Sequence, residues 1–82
     1  MIVTKEIFGR TSQIIERINK IYNCENATWE EKYDAIFSKD VSGVFFNTFP
    51  SFDYYDPDAD YHDDVCAFVC AVNDFWNNIK VI

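Results

Sequence analysis

The sequence predicts an all-α fold, a compact four-helix single domain of 82 residues. Apolar residues recur at helical spacing in long stretches of the chain, and the tetrapeptide TWEE, residues 28–31, forms a capping box that marks a helix start. Aromatic residues make up 18% of the chain and supply a core. A domain of this length buries only about two thirds of its unfolded surface, so the core must be economical. We expect helices at about residues 11–22, 29–38, 41–49 and 57–80.

The first predicted helix spans residues 11–22. Thr11 or Ser12 is its expected N-cap, and Asn23 is its expected stop. The segment before it, residues 2–8, is either a short strand or an extra helical turn, and Gly9 separates it from the helix. The apolar residues of the helix fall on one face: Ile14, Ile15, Ile18, Ile21 and Tyr22.

The second predicted helix follows the capping box. Its apolar positions repeat at i, i+4, i+7 and i+8, which places them on one face of a helix. These positions are Trp29, Tyr33, Ile36 and Phe37. The same spacing leaves the acidic residues Glu30, Glu31 and Asp34 toward solvent.

The third segment is ambiguous between helix and strand. The run VFFNTF, residues 44–49, suits a strand, but four phenylalanines also fit one helical face. We expect a short helix that ends before Pro50, because a proline biases the preceding residue away from helical angles. The four phenylalanines are Phe45, Phe46, Phe49 and Phe52.

The last predicted helix has the strongest pattern. Asp56 reads as its N-cap and Pro57 as its first helical residue. An apolar stripe then continues for over five turns, and Tyr61, at its beginning, is expected to cover the core. The stripe consists of Tyr61, Val65, Phe68, Val69, Val72, Phe75, Trp76 and Ile79.

Composition limits the cellular location. The longest uninterrupted apolar run, residues 65–72, is far shorter than the ~20 residues of a membrane crossing. Charges at Lys5, Glu6 and Arg10 argue against a signal peptide. The chain has three cysteines, an odd number that suits a reducing compartment better than a disulfide framework. We therefore expect a cytoplasmic protein without membrane contact.

The negative charge is concentrated in the later part of the chain. The net charge is −7, and no lysine or arginine occurs between Asp40 and Ile79. Repulsion among these like charges destabilises the fold. The concentration of charge therefore favours a role in function, and the alternative explanation is that it only keeps the protein soluble. The helix dipole accounts for one or two of the acids at the start of the last helix, but not for all of them.

The chemical motifs argue against catalysis and cofactors. His62, Cys66 and Cys70 lie at i, i+4 and i+8, so they diverge along a helix instead of converging on a zinc ion. The chain has a single histidine and no serine or threonine nucleophile beside it. Two glycines cannot build a phosphate-cradling loop. We therefore expect no enzyme, no metal and no cofactor.

The acidic stretch instead predicts a surface for a positively charged protein. Direct binding to DNA or RNA is disfavoured, because the phosphates would be repelled. Tyrosines are frequent interface anchors, and aspartates around them steer a basic partner. The predicted partner-binding residues are Asp53, Tyr54, Tyr55, Asp56, Asp58, Asp60, Asp63 and Asp64, with Glu30, Glu31 and Asp34 on the second helix.

The stretch PSFDYYDP, residues 50–57, resembles the short third helix of the colicin and pyocin nuclease immunity proteins. The TWEE start of the second helix and the spacing of valine, phenylalanine and tryptophan in the last helix are similar too. The resemblance implies a four-helix acidic inhibitor that blocks a nuclease domain in the cytoplasm of a bacterial cell, or of the host cell if the protein is phage-encoded. It makes Asp53, Tyr54 and Tyr55 the anchor, and it makes Glu30, Glu31 and Asp34 the residues that set partner choice.

Two alternatives remain open. In size and charge the chain is similar to small acidic phage inhibitors, which act as DNA mimics against restriction enzymes or CRISPR effectors. In that case carboxylates stand in for phosphates on a basic groove. The third possibility is a structural or assembly subunit that uses the face of Cys66 and Cys70, although we expect a monomer rather than a homodimer.

Overall fold

The computed structural model describes residues 2–50, 52 and 60–82, and most of these are helical. Helix α1 spans Lys5–Tyr22, α2 spans Trp29–Ile36, α3 spans Val44–Thr48 and α4 spans Tyr61–Asn77. The strands β1, Ile2–Val3, and β2, Lys80–Val81, pair in parallel. The mostly helical architecture is confirmed. The strand pair shows that the two ends of the described chain lie together.

Helix α1 begins earlier than the sequence predicted. Its N-cap is Thr4, whose hydroxyl accepts a hydrogen bond from the amide of Ile7 at 3.2 Å. Thr11, one of the predicted caps, is instead buried in the middle of the helix. Gly9 does not separate two elements, because α1 runs through it. The predicted apolar face is present, with Ile15 and Ile18 buried.

Helix α2 forms as the capping box predicted. The Thr28 hydroxyl accepts from the Glu31 amide at 3.1 Å, and the Glu31 carboxylate accepts from the Thr28 amide at 3.1 Å. These two bonds satisfy backbone donors that would otherwise have no partner. The helix ends at Ile36, two residues before the predicted end.

The predicted helix at 41–49 is divided into a π-helical turn, Lys39–Gly43, and the short helix α3. The amide of Gly43 reaches back to the carbonyl of Ser38 at 3.1 Å. Phe49 ends α3 with a backbone outside the helical region, as expected before Pro50. Phe45, Phe49 and Phe52 are buried, which explains the phenylalanine pattern by core packing.

Helix α4 is shorter at both ends than predicted. Its N-cap is Asp60, whose carboxylate accepts from the Asp63 amide at 2.8 Å, whereas the predicted cap, Asp56, lies outside the described residues. Pro57 and the predicted first turn lie outside the described residues. The helix ends at Asn77, and Ile79 follows it outside the helix. Asn78 donates from its side chain to the Asp74 carbonyl at 2.8 Å, which terminates the helix before β2.

The core lies where α4 packs against α1, α2 and the region around α3. The most completely buried side chains include Ile18 from α1, Ile36 from α2, and Val65, Phe68 and Val72 from α4. Rings from α3 and α4 meet edge to face, as with Phe49 and Phe75 at 5.1 Å between centroids. Among the described helices, none is both long and apolar enough to cross a membrane.

An acidic and aromatic candidate binding surface

Four rings join α2 to the first turn of α4. Trp29 and Tyr33 lie one turn apart on α2, and Tyr61 and His62 begin α4. The Trp29 ring meets His62 at 4.4 Å between centroids with the planes perpendicular, and Tyr33 meets Tyr61 at 5.0 Å. We call this area the α2–α4 surface. It comprises the four rings and the neighbouring acids Glu30, Asp34, Asp60 and Asp63.

The rings of this surface are only partly covered. Tyr61 keeps 47% of its surface exposed and Trp29 keeps 36%, while Tyr33 is half-buried between them and Phe37. The sequence placed Tyr61 over the core, and this was wrong because α4 starts at that residue and turns it outward. Large, partly exposed rings with few rotatable bonds are typical anchors of protein interfaces.

Exposed carboxylates stand beside these rings. Glu30 and Asp34 are exposed on α2, and within residues 2–50, 52 and 60–82 neither forms a salt bridge. Asp60 and Asp63 are exposed at the start of α4. Asp63 lies 3.1 Å from the Nδ1 atom of His62. The surface therefore combines apolar contact area with negative charge that has not been neutralised by lysine or arginine.

The other two predicted acids of the described region lie in the first turns of α2 and α4. Glu31 is exposed, but its carboxylate is bound to the Thr28 amide, and this hydrogen bond holds the pKa of Glu31 below its ordinary value. Asp64 is half-buried in the first turn of α4, and its amide completes that turn by donating to the Asp60 carbonyl at 2.9 Å. Both belong to the helix starts that position the α2–α4 surface.

A buried lysine supports the surface from below. Lys32 is 7% exposed, and its ammonium group donates to the carbonyl of Tyr22, at the end of α1, at 2.8 Å. The same Nζ atom lies 4.3 Å from the centre of the Trp29 ring. A cation over an indole face is attracted by the ring's quadrupole, so Lys32 ties Trp29 to the end of α1.

A thiol and an imidazole meet at the edge of the surface. The Nε2 atom of His62 lies 3.7 Å from the Sγ atom of Cys66, one turn along α4. The hydroxyl of Tyr22 lies 3.6 Å from the same sulfur. The contact with Cys66 raises the pKa of Tyr22, so the phenol keeps its proton.

Three side chains at the start of α4 crowd together without forming a metal centre by themselves. Oxygen and nitrogen atoms of Asp60, His62 and Asp63 lie within 4.8 Å of one another, and all three residues are exposed. The N-cap of Asp60 and the hydrogen bond between His62 and Asp63 account for this geometry. We assign no ion to the group.

Five predicted site residues lie outside the described residues: Asp53, Tyr54, Tyr55, Asp56 and Asp58. The structure exposes Glu30 and Asp34 on the helix that carries Trp29 and Tyr33, and it exposes Asp60 and Asp63 at the start of α4. It adds the four rings and Lys32, which the sequence did not assign to the site. The spacing could have indicated Lys32, because it lies four residues before the buried Ile36 and so shares its face.

Comparisons of the chain with protein-family models, curated proteins and solved structures found no match. We therefore infer the function of the protein from the chemistry of the α2–α4 surface.

Proposed function

We propose that the protein is an acidic inhibitor that binds a cationic protein through its α2–α4 surface. The partner is a nuclease or another protein that handles nucleic acid. One observation carries the proposal: the exposed rings of Trp29 and Tyr61 share the α2–α4 surface with exposed carboxylates that form no salt bridge to lysine or arginine within residues 2–50, 52 and 60–82. Proteins that bind nucleic acid present grooves rich in lysine and arginine, and carboxylates can occupy those grooves in place of phosphates.

The two kinds of side chain have different roles in such a complex. Carboxylates attract a basic partner over a distance and raise the association rate. The aromatic rings lose their contact with water at the centre of the interface, and their burial there stabilises the complex. Glu30 and Asp34 lie next to Trp29 and Tyr33 in the sequence of α2, so both roles are combined on one helix.

The resemblance to nuclease immunity proteins makes the proposal more specific. The resemblance implies that Glu30, Glu31 and Asp34 set partner choice. It also implies that Asp53, Tyr54 and Tyr55 form the shared anchor. The proposed inhibitor covers the DNA-binding surface of its nuclease and thereby blocks access to DNA. It does not bind nucleic acid itself.

The first experiment captures the partner. The tagged protein is incubated at low salt with lysate from its host, and bound proteins are identified by mass spectrometry and assayed for nuclease or DNA-binding activity. We expect the double variant Glu30→Gln, Asp34→Asn to lose the partner. The matched control is Glu16→Gln, Asp74→Asn, which makes the same charge change at exposed positions away from the α2–α4 surface.

The outcome separates the proposal from its rivals. The proposal is sustained if the captured protein is inhibited by wild type and escapes the surface variant. It fails if both double variants capture the same proteins as wild type. It also fails if the captured protein has no nucleic-acid activity, or if sedimentation shows that the chain instead forms a stable homodimer through the exposed side of α4 around Cys70.

A second experiment separates an immunity-type inhibitor from a DNA mimic. Alanine at Tyr54 and Tyr55, or at Tyr61, removes rings without changing charge. An immunity-type complex loses most of its affinity with these variants. A DNA mimic instead weakens gradually with each Asp→Asn change and shows a steep salt dependence.

A further inference from the structure

The three cysteines of the chain differ in their surroundings. Cys24 and Cys70 are exposed, and among the described residues neither side chain has a hydrogen-bond partner. Cys66 is half-buried, with Tyr22 on one side of its sulfur and His62 on the other. One thiol of three therefore has both a base and a hydroxyl donor within reach, and the other two serve as internal references.

The imidazole is oriented to accept the thiol proton. Its Nδ1 atom lies 3.1 Å from the Asp63 carboxylate, which can only accept, so the proton of a neutral ring belongs on Nδ1. This leaves the lone pair of Nε2 facing the Cys66 sulfur at 3.7 Å. The order of carboxylate, imidazole and thiol is the arrangement that activates a nucleophile.

We propose that Cys66 is a reactive thiol that exchanges with small disulfides, preferably positively charged ones. His62 takes the proton from Cys66 at Nε2. The thiolate attacks one sulfur of the small disulfide, so a new S–S bond forms to Cys66 while the original S–S bond breaks. The leaving sulfur departs as a thiolate and receives the proton from His62. Cys66 is oxidised and the leaving thiol is reduced, so no further oxidant is needed.

The surrounding charges set the preference for a cation. On α4, Asp60 and Asp63 are exposed near the thiol, and Asp64 is in the same turn. From α1, Tyr22 faces the sulfur with a neutral hydroxyl. From α2, the ammonium group of Lys32 donates to the Tyr22 carbonyl and lies 4.3 Å from the centre of the Trp29 ring, so one cation stands against the three acids. A positively charged disulfide is therefore attracted and an anionic one is repelled.

Modification would also change the α2–α4 surface, because His62 belongs to both sites. A group attached to Cys66 lies one helical turn from the ring that contacts Trp29. The test below uses no protein partner, so its result is independent of the inhibitor proposal.

The experiment measures exchange at each cysteine of the folded protein. The reduced protein is mixed with cystamine, a cationic disulfide, or with glutathione disulfide, an anionic one. The reaction is stopped by acid at intervals, and peptide mapping gives the rate for each cysteine. We expect cystamine to modify Cys66 about tenfold faster than Cys24 or Cys70. We expect glutathione disulfide to react with Cys66 more slowly than cystamine does. The difference between the two rates should become smaller at high salt.

Two variants test the role of the neighbours. His62→Gln keeps the size and polarity of the side chain but removes the base, and it should reduce the Cys66 rate to that of the exposed cysteines. Tyr22→Phe should reduce the exchange rate of Cys66 by a smaller factor, because it removes the hydroxyl near the sulfur but leaves His62 in place. Circular dichroism confirms that each variant remains folded, and in denaturant the three thiols should react alike. The proposal is overturned if Cys66 reacts no faster than Cys24 and Cys70, if folded His62→Gln retains the wild-type rate, or if the anionic reagent is preferred.

Discussion

Lys32 holds its ammonium group inside the protein instead of in solvent. The carbonyl it contacts belongs to Tyr22, the last residue of α1, where the helix dipole is negative. The rings of Trp29 and Tyr22 cover the charge on the outside. A single residue thus caps α1, anchors α2 and supports a ring of the candidate surface.

Replacing Lys32 should destabilise the fold more than replacing an exposed lysine. We expect Lys32→Met to lower the free energy of unfolding by about 1–3 kcal/mol, because the Tyr22 carbonyl loses its donor and the Trp29 ring loses its cation. Urea denaturation followed by circular dichroism measures the change. Lys20→Met, at an exposed position in the last turn of α1, is the control and should stay within about 0.5 kcal/mol of wild type. Equal effects at the two positions would contradict this role for Lys32.

Asn19 and Asn73 form a polar link between α1 and α4. Each side-chain amide donates to the other's carbonyl oxygen, at 3.1 Å and 3.0 Å. Each also donates to the backbone carbonyl four residues earlier, that of Ile15 or Val69. The pair is half-buried, so its polar atoms are satisfied by one another and by the helices.

A double-mutant cycle tests this link. Asn19→Ala and Asn73→Ala should each lower the free energy of unfolding by about 1–2 kcal/mol, because each substitution removes a hydrogen-bond partner from the remaining asparagine. The destabilisation of the double variant should be smaller than the sum of the two single destabilisations by about 1 kcal/mol. Chemical denaturation of the four proteins gives the coupling energy. Strictly additive effects would mean that the reciprocal hydrogen bonds add nothing to the contact of α1 with α4.

At the level of elements, α1 is continuous through a glycine. A Cβ atom at Gly9 would meet no atom within 4 Å, and the backbone there does not use the left-handed region. Gly9→Ala should therefore stabilise the protein by about 0.5–1 kcal/mol, because alanine is the better helix former. Gly9→Pro should destabilise it by about 3 kcal/mol. Thermal unfolding of the two variants and of wild type measures both changes in stability. A protein that tolerated proline at this position would have a break between two elements there, as the sequence pattern had indicated.

The capping box of α2 should give the fold a pH dependence in the acid range. The pKa of Glu31 is lower in the folded protein than its ordinary value of 4.5. Its stabilising contribution is therefore present above that value and is lost as the pH falls through the lower, folded-state pKa. We expect wild type to be more stable than Glu31→Gln at neutral pH, with the difference shrinking as the solution is acidified.

Thermal unfolding of both proteins from neutral pH into the acid range measures this difference. Glu16→Gln, an equal charge change on the exposed side of α1, controls for the relief of net negative charge. A difference between wild type and Glu31→Gln that stayed constant with pH would exclude the ionised carboxylate as its source.

Sequence patterns predicted elements well where the deciding chemistry was local. The Thr28–Glu31 box predicted the start of α2, because both partners of its hydrogen bonds lie within four residues. The start of α4 was wrong, because Asp56, Asp58 and Asp60 are all good N-caps and local preference cannot choose among them. The strand β2 pairs with residues almost the whole chain away, a contact that no local pattern reveals.

The candidate site shows the same division. Its acids could be predicted, because solvent exposure follows from helical spacing. The contacts of Trp29 with His62 and of Tyr33 with Tyr61 could not, because they depend on how α2 packs against α4. The support that Lys32 gives the surface also depends on this packing, because the packing buries its side chain between α1 and α2.

For the molecule as a whole, charge is separated between two regions. Helix α1 exposes four cations, Lys5, Arg10, Arg17 and Lys20, against two acids, whereas the exposed carboxylates of the α2–α4 surface have no lysine or arginine among them. This arrangement orients the protein in the field of a basic partner before contact. Steering by charge acts on the encounter, and packing of rings acts after it, so substitutions of the two kinds should change different rate constants.

Binding kinetics with the captured partner tests this separation. We expect Glu30→Gln, Asp34→Asn to slow association about three- to tenfold at low salt, with the effect fading at high salt and the dissociation rate little changed. We expect Tyr61→Ala to leave association nearly intact and to weaken the complex roughly thirtyfold through faster dissociation. Surface plasmon resonance at several salt concentrations measures both rates, with Glu16→Gln, Asp74→Asn as the charge control. If Tyr61→Ala slowed association while the acid variant changed only dissociation, the rings could not be anchors and the carboxylates could not be steering groups.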